Sequence, residues 1–197
     1  TMNLKIASSN LNQTPLAWEK NFSNIKNSIN EARKKNVKVL CFPELGITGY
    51  SCQDLFFNSW FINKSEKYLN EVVKLCSKIT VLIGHPFKYN SKLYNAVSII
   101  KNKEIKGCFI KSNLPNDGIH YEKRWFEPWK LGEIKEHIFD KKKVPIGTIQ
   151  YEYNDFLTLG FEICRDSWNS ERPAKYIRTK KNLLIINPIA SHYAFDK

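Results

Sequence analysis

The most constraining feature of the sequence is the segment Leu157–Trp168, in which an apolar, strand-like run ends abruptly at Cys164. Polar residues follow the cysteine, and then comes a stretch that favours a helix. A sharp strand-to-helix turn lifts a side chain out of a sheet and gathers backbone N–H groups beside it. The segment therefore predicts a buried strand that presents Cys164 at a sheet edge, where a nucleophile can act.

Two other predicted strands end in the same way. Val37–Phe42 is an apolar run followed closely by Glu44, and Ile105–Lys111 is a second run that ends on a lysine. A carboxylate or an ammonium group in such surroundings is costly unless it is paired. Functional groups are commonly carried on loops at the ends of a rigid scaffold. We therefore expect Glu44, Lys111 and Cys164 to converge at one edge of the sheets.

The rest of the chain predicts strands in the middle and helices towards the ends, which indicates a layered α/β or α+β domain with mixed sheets. The further predicted strands are Leu4–Ser8, Ile79–Pro86, Leu93–Lys101, Val144–Gln150 and Leu183–Asn187. The predicted helices are Trp18–Lys35, Leu55–Phe61, Glu66–Ser77 and Arg172–Thr179, with a short helix or turn at Leu131–Phe139 and a long aromatic-rich loop at Ser112–Trp129.

Charge and cysteine content exclude several function classes. The net charge of +12 is spread over nearly every predicted helix and loop, with Lys141–Lys143 as the only compact run, so we expect no nucleic-acid partner.

The five cysteines are odd in number, form no CxxC pair and join no His cluster with zinc spacing, so we expect neither a disulfide framework nor a metal site. A reducing cytoplasm fits this cysteine usage. No apolar span is long enough for a bilayer, so we expect no membrane partner.

The three converging residue types predict hydrolysis of an amide or a nitrile. Glu44 takes the thiol proton of Cys164, and the thiolate attacks the carbonyl carbon. Lys111 holds positive charge near the oxyanion, and the backbone N–H of Arg165 is a candidate second donor. Taken singly, the same residues have plainer interpretations: a buried cysteine, a glutamate that caps a helix and a solvated lysine.

Three segments resemble the signatures of the nitrilase (carbon–nitrogen hydrolase) superfamily. They are Phe42–Leu45 with Thr48–Tyr50, the segment at Lys111, and Glu162–Asp166, in the same order along the chain. The resemblance implies a four-layer α-β-β-α sandwich as one domain over residues 1–197. It also implies that such a domain continues with further strands and helices beyond Lys197, so that this chain is incomplete at its C-terminal end.

A closer resemblance is to the glutaminase domains of glutamine-dependent NAD⁺ synthetases. It rests on Gly49–Phe56, Arg124–Trp129 and Ala190–His192. It implies that glutamine is hydrolysed through a Cys164 thioester, and that ammonia passes to a C-terminal synthetase domain that amidates nicotinic acid adenine dinucleotide. It implies homo-oligomers and no cofactor for the glutaminase reaction. ATP and Mg²⁺ are expected only in the synthetase domain, whose phosphate-binding glycine loop does not occur in this sequence.

The resemblance implies roles for four further residues. Glu122 matches a second active-site glutamate that orders the lysine or binds the substrate amide, and Tyr50, Trp168 and Ser191 match positions that line the glutamine pocket. The plainer interpretations are a solvated charge for the glutamate, core aromatics and a turn serine. Arg165 departs from the family, which often has an acidic residue directly after the cysteine.

Two other functions fit part of the sequence. One is a stand-alone amidase of the same superfamily that acts on another small amide. The other is a non-catalytic binding module with a basic surface, in which Cys164 is unreactive and salt-sensitive binding to polyanions dominates.

Overall fold

The computed structural model describes residues 3–191. The two α-helices are α1 (Trp18–Lys34) and α2 (Ser59–Leu75). The strands are β1 (Ile6–Ser8), β2 (Val39–Cys41), β3 (Thr80–Tyr89), β4 (Lys92–Lys101), β5 (Glu104–Ile110), β6 (Ile134–Phe139), β7 (Lys142–Gly147), β8 (Tyr151–Glu152), β9 (Leu157–Phe161) and β10 (Asn182–Ile186). Short 3₁₀ turns lie at Gln53–Phe57, Glu122–Arg124, Cys164–Trp168 and Pro173–Tyr176.

The strands form two sheets. The larger has the order β1-β2-β3-β4-β5-β7-β6, with parallel pairing from β1 to β3 and antiparallel pairing of β4 with both of its neighbours. The smaller has the order β10-β9-β8, in which β10 is parallel to β9 and β8 is antiparallel to it. Strands β2 and β5 therefore run in the same direction and end at the same edge of the larger sheet.

The elements stack in layers, because each sheet has apolar residues on both faces. Helix α1 places Ile25 and Ile29 against one face of the larger sheet, as the apolar spacing of the helix predicts. The other face packs on the smaller sheet, where Phe109 meets Phe161. These layers confirm the predicted mixed α/β sandwich.

The outer face of the smaller sheet is covered differently from the prediction. Arg172–Thr179 is predicted to be helical, but only the 3₁₀ turn Pro173–Tyr176 forms there. Gly160 lets this segment lie close to β9, since an added Cβ would come within 2.4 Å of Ile177 Cδ1. Among residues 3–191, no α-helix lies in this fourth layer.

Two other sequence predictions are wrong in the type or the number of elements. Leu131–Phe139 is predicted as a short helix or turn, but Ile134–Phe139 forms β6 and pairs along β7, which satisfies the backbone at the edge of the sheet. Leu55–Phe61 and Glu66–Ser77 are predicted as two helices, but a 3₁₀ turn is followed by the single helix α2. The extended backbone of Asn58 separates the two.

His192, which belongs to the segment Ala190–His192 used in the sequence comparison, lies outside the described residues. Over the part of the chain that the structure describes, no helix has both the length and the apolar character needed to cross a membrane.

Candidate active site

The structure places Glu44, Lys111 and Cys164 just past the ends of β2, β5 and β9, as the strand pattern predicts. The side chains of Glu44 and Lys111 are fully buried, whereas Cys164 is partly exposed and lines a surface cavity. The larger sheet therefore supplies a buried ion pair, and the smaller sheet supplies the accessible thiol.

Lys111 is the centre of a buried network of charges. Its Nζ donates to Glu44 Oε1 at 2.5 Å and to the two carboxylate oxygens of Glu122 at 2.8 and 3.0 Å. Asn95 Nδ2 donates to Glu44 Oε1 at 2.8 Å and to Glu122 Oε2 at 3.3 Å. Because each charge is paired and hydrogen-bonded, the network offsets the cost of burying it.

The network holds two carboxylates against one ammonium group, which shifts the pKa values of its members. Burial lowers the pKa of Lys111, but the charges of Glu44 and Glu122 outweigh this effect and make the net shift upward. Burial raises the pKa of Glu122, and the charge of Glu44 raises it further. Lys111 therefore stays protonated, and Glu122 takes up a proton more readily than an exposed glutamate does.

The two carboxylate oxygens of Glu44 differ in their hydrogen bonding. Glu44 Oε2 is buried and has no hydrogen-bond partner among residues 3–191, while Oε1 is held by Lys111 and Asn95. Burial, and after it the charge of Glu44, raise the pKa of the Cys164 thiol to about 11 against the opposing effect of Lys111. The thiol is therefore protonated at neutral pH, so a nucleophilic role for Cys164 requires a base, and Glu44 Oε2 is a buried acceptor without a hydrogen-bond partner among residues 3–191.

Cys164 sits on a strained turn. Its φ of 45° lies in the left-handed region that residues with a side chain rarely adopt. Its backbone N–H donates to Asn187 Oδ1 at 2.6 Å and to Pro188 O at 3.0 Å, both just past the end of β10. The parallel neighbour of β9 therefore holds the strained backbone in place, as expected for a turn that aims a nucleophile away from its sheet.

Asp166 ties this turn to the segment that follows Lys111. The Asp166 carboxylate is fully buried and accepts the backbone N–H of Ile163 at 2.9 Å. It also accepts those of Ser112 at 3.1 Å and Asn113 at 2.8 Å. Burial raises the pKa of Asp166 to about 7, against the opposing effect of these three donors. The carboxylate thus fixes the distance between the thiol turn and the lysine.

We expect Asp166→Asn to lower the free energy of unfolding by about 1–3 kcal/mol, because the amide cannot accept hydrogen bonds at both oxygen positions and leaves a buried N–H unpaired. Denaturant unfolding measures this loss, and the exposed-loop variant Asp155→Asn is the matched control, with a change of less than about 0.5 kcal/mol. Equal stability of the two variants would contradict the bridging role of Asp166.

The cavity beside Cys164 has a volume of about 180 Å³. Three of the residues that the sequence predicts in the substrate pocket, Tyr50, Trp168 and Ser191, line it. Trp168 is 73% exposed, which rules out the interpretation as a core aromatic. Glu122 lies behind the cavity, where its Oε1 accepts the Tyr50 hydroxyl at 2.7 Å as well as a proton of Lys111. This contact fixes the position of the Lys111 ammonium group.

Sequence reasoning assigned no role to Asn95, Asp166 and Asn187, which hold the buried charges and the cysteine turn by hydrogen bonds. Asn95 had a detectable signal, because it is a lone amide in the otherwise apolar centre of β4. Asp166 lies in the segment Glu162–Asp166 that carries the resemblance, but nothing in the residue types predicted its role or that of Asn187, because aspartate and asparagine are ordinary residues in turns and at strand ends. Within residues 3–191, no group of three or more His, Cys, Asp and Glu side chains is arranged to hold a metal ion.

Comparison with known sequences gives a consistent result. A profile described as "Carbon-nitrogen hydrolase" matches residues 5–195. Over 98% of its length, this chain is 30% identical to a glutamine-dependent NAD(+) synthetase of Arabidopsis thaliana and to one of Thermotoga maritima. It covers 28% of the first protein and 31% of the second. The chain thus spans less than a third of the length of these curated relatives.

Comparison with solved structures agrees. A glutamine-dependent NAD(+) synthetase from Cytophaga hutchinsonii superposes with a TM-score of 0.87 and 39% identity, over 98% of this chain and 32% of that chain. An amidase from Nesterenkonia sp. superposes with a TM-score of 0.69 over 98% of this chain and 66% of that chain. At 16% identity, the second comparison shows a shared fold.

Proposed function

This chain belongs to the carbon–nitrogen hydrolase family, and on that premise we propose that it hydrolyses the side-chain amide of glutamine to glutamate and ammonia. The observation that carries the proposal is the buried Glu44–Lys111 pair, in which one glutamate oxygen has no hydrogen-bond partner among residues 3–191 and both residues shift the pKa of the Cys164 thiol electrostatically. The choice of glutamine is supported by the relatives, whose names state that they depend on it.

In the first half of the reaction, Glu44 Oε2 removes the thiol proton of Cys164 as Sγ attacks the amide carbon. Negative charge then develops on the amide oxygen. The Lys111 ammonium group and the backbone N–H of Arg165 stabilise that charge. Lys111 is suited to this role because its upward-shifted pKa keeps it cationic throughout.

In the second half, Glu44 returns the proton to the leaving nitrogen, the C–N bond breaks and ammonia departs, leaving a Cys164 thioester. Glu44 then accepts a proton from water as the water oxygen attacks the thioester carbon. The C–S bond breaks, the thiol regains its proton, and glutamate is released. One water molecule is consumed per amide. Throughout the reaction, Glu122 holds Lys111 in position and Asn95 holds Glu44 in position by hydrogen bonds.

We propose that the ammonia serves a synthetase domain, because the relatives are named glutamine-dependent NAD(+) synthetases and are more than three times as long as this chain. That domain uses ATP and Mg²⁺ to amidate nicotinic acid adenine dinucleotide, and the steps above need neither. We also propose assembly as a homo-oligomer, which follows from the resemblance. All five cysteines are unpaired, which supports a reducing, cytoplasmic location.

A covalent label tests the proposal directly. We expect a glutamine-analogue diazo-ketone to give a single adduct at Cys164, detected by mass spectrometry of proteolytic peptides, and excess glutamine to block it. Cys52 is the internal control, because its thiol is buried and burial raises its pKa to about 12. A Cys164 adduct that glutamine does not block would exclude glutamine as the substrate and favour another small amide. No adduct at Cys164 would favour the non-catalytic binding module.

A further inference from the structure

An ion pair lies at the mouth of the Cys164 cavity and takes no part in the reaction steps above. Arg165 Nη1 is 2.8 Å from Asp117 Oδ2, and both residues line the cavity together with the cysteine. Asp117 Oδ1 is also 3.4 Å from His120 Nδ1, and the His120 ring packs edge-on against Tyr50. A positive and a negative group are therefore placed side by side, next to the nucleophile.

This pair is not required to hold the fold together. The Arg165 side chain is 39% exposed and that of Asp117 is 47% exposed, and exposed ion pairs of this kind contribute little net stability. A ligand with its own charges can therefore replace the contact between them at small cost. By contrast, the charges behind the cavity are fully buried and already paired with one another.

Both groups are held on rigid backbone. Arg165 follows directly on the strained Cys164 residue, inside the 3₁₀ turn that Asp166 anchors. Asp117 lies in a tight turn, in which its backbone N–H donates to His120 O at 3.0 Å and the flanking residues Asn116 and Tyr121 form a β-bridge. The two side chains thus leave the backbone at fixed points beside the thiol, which favours selective binding over general attraction.

We propose that Arg165 and Asp117 form a subsite for the two charged groups of an α-amino acid whose side-chain amide reaches Cys164. The guanidinium group binds the α-carboxylate, for which its planar fork of donors is suited, and the Asp117 carboxylate binds the α-ammonium group. The inference rests on the proposed amide hydrolysis and adds to it the reason for preferring a zwitterionic substrate over a neutral amide. Butyramide has the same amide chain as glutamine without the two charges, so it cannot use the subsite.

The kinetic test compares the two amides on the same variants. In Arg165→Gln and Asp117→Asn, we expect the ratio of kcat/KM for glutamine to kcat/KM for butyramide to fall about 10–100-fold, mainly through KM for glutamine. Lys123→Gln and Asp155→Asn remove the same charges at exposed positions and should change the ratio less than about twofold. The concentration of glutamine that half-protects Cys164 from the diazo-ketone should rise by the same factor as KM, and this readout does not require turnover.

A charge swap separates substrate binding from a structural role of the pair. Arg165→Asp combined with Asp117→Arg preserves an ion pair but reverses its order, so we expect it not to restore the preference for glutamine. Two results would overturn the subsite and leave glutamine hydrolysis standing. One is full recovery of the preference for glutamine in the charge-swapped variant. The other is an unchanged ratio of kcat/KM for glutamine to kcat/KM for butyramide in the single variants. Hydrolysis of butyramide with no protection or turnover by glutamine in the unmodified chain would instead overturn both the subsite and the choice of glutamine.

Discussion

Glu44→Gln should reduce the proposed rate of glutamine hydrolysis by about 10²–10⁴-fold, because it removes the proposed general base and leaves the rest of the network in place. The amide oxygen of the new side chain can still accept from Lys111 and Asn95, as Glu44 Oε1 does. Lys111 keeps Glu122 as its counter-ion, so the buried charges then balance one to one. Ammonia release measures the rate, and thermal unfolding checks that the variant is folded.

The same variant shows whether Glu44 acts as a base or only changes the pKa of the Cys164 thiol. Glu44 raises the pKa of Cys164, so removing its charge should lower that pKa and increase the fraction of thiolate at neutral pH. Alkylation of Cys164 by iodoacetamide should therefore begin at lower pH in the variant, while hydrolysis is lost. The exposed variant Glu127→Gln is the matched control and should change neither property. Hydrolysis within threefold of the unmodified rate would rule out Glu44 as the base.

Lys111→Met should lower the free energy of unfolding by about 3–5 kcal/mol and also abolish measurable hydrolysis. The methionine fills similar space but leaves Glu44 and Glu122 buried together without a cation, which is the costly way to break a buried ion pair. Denaturant unfolding gives the stability. Lys106→Met is the matched control, because its pairing with Glu104 is partly exposed and should be worth less than about 1 kcal/mol.

The loss in Lys111→Met should depend on pH. Burial and Glu44 already raise the pKa of Glu122, and losing the cation raises it further, so folding then takes up a proton. A carboxyl group whose pKa is higher in the folded state does not lower the free energy of unfolding at a pH below its unfolded pKa. It lowers that free energy increasingly as the pH rises from the unfolded pKa through the folded pKa. The stability gap between the variant and the unmodified chain should therefore be smaller at pH 5 than at pH 8.

A second variant guards against the case in which Lys111→Met does not fold. Adding Glu44→Gln and Glu122→Gln to it removes all three charges, and we expect most of the lost stability to return without any return of activity. Instability of the triple variant as great as that of Lys111→Met would show that packing of the lysine stem, rather than its charge, holds this region together.

The sequence by itself determined the elements whose signals are local. The apolar runs that end at Glu44, Lys111 and Cys164 predicted where three candidate catalytic side chains follow their strands, and the spacing of Ile25 and Ile29 predicted α1. Burial alone then required Glu44 and Lys111 to be paired. These inferences succeeded because strand ends, helix periodicity and the cost of a buried charge all depend on residues close together in the chain.

Only the tertiary structure decided which distant groups complete the site. The Asp166 carboxylate bridges to Ser112 across 54 residues, and Asn95 bridges to Glu44 across 51. β6 forms because the edge of β7 offers backbone partners, although its own residues predict a helix or turn. Hydrogen bonds and charge pairs of this kind depend on sheet order and register, and those are set by how the layers pack rather than by any local run of residues.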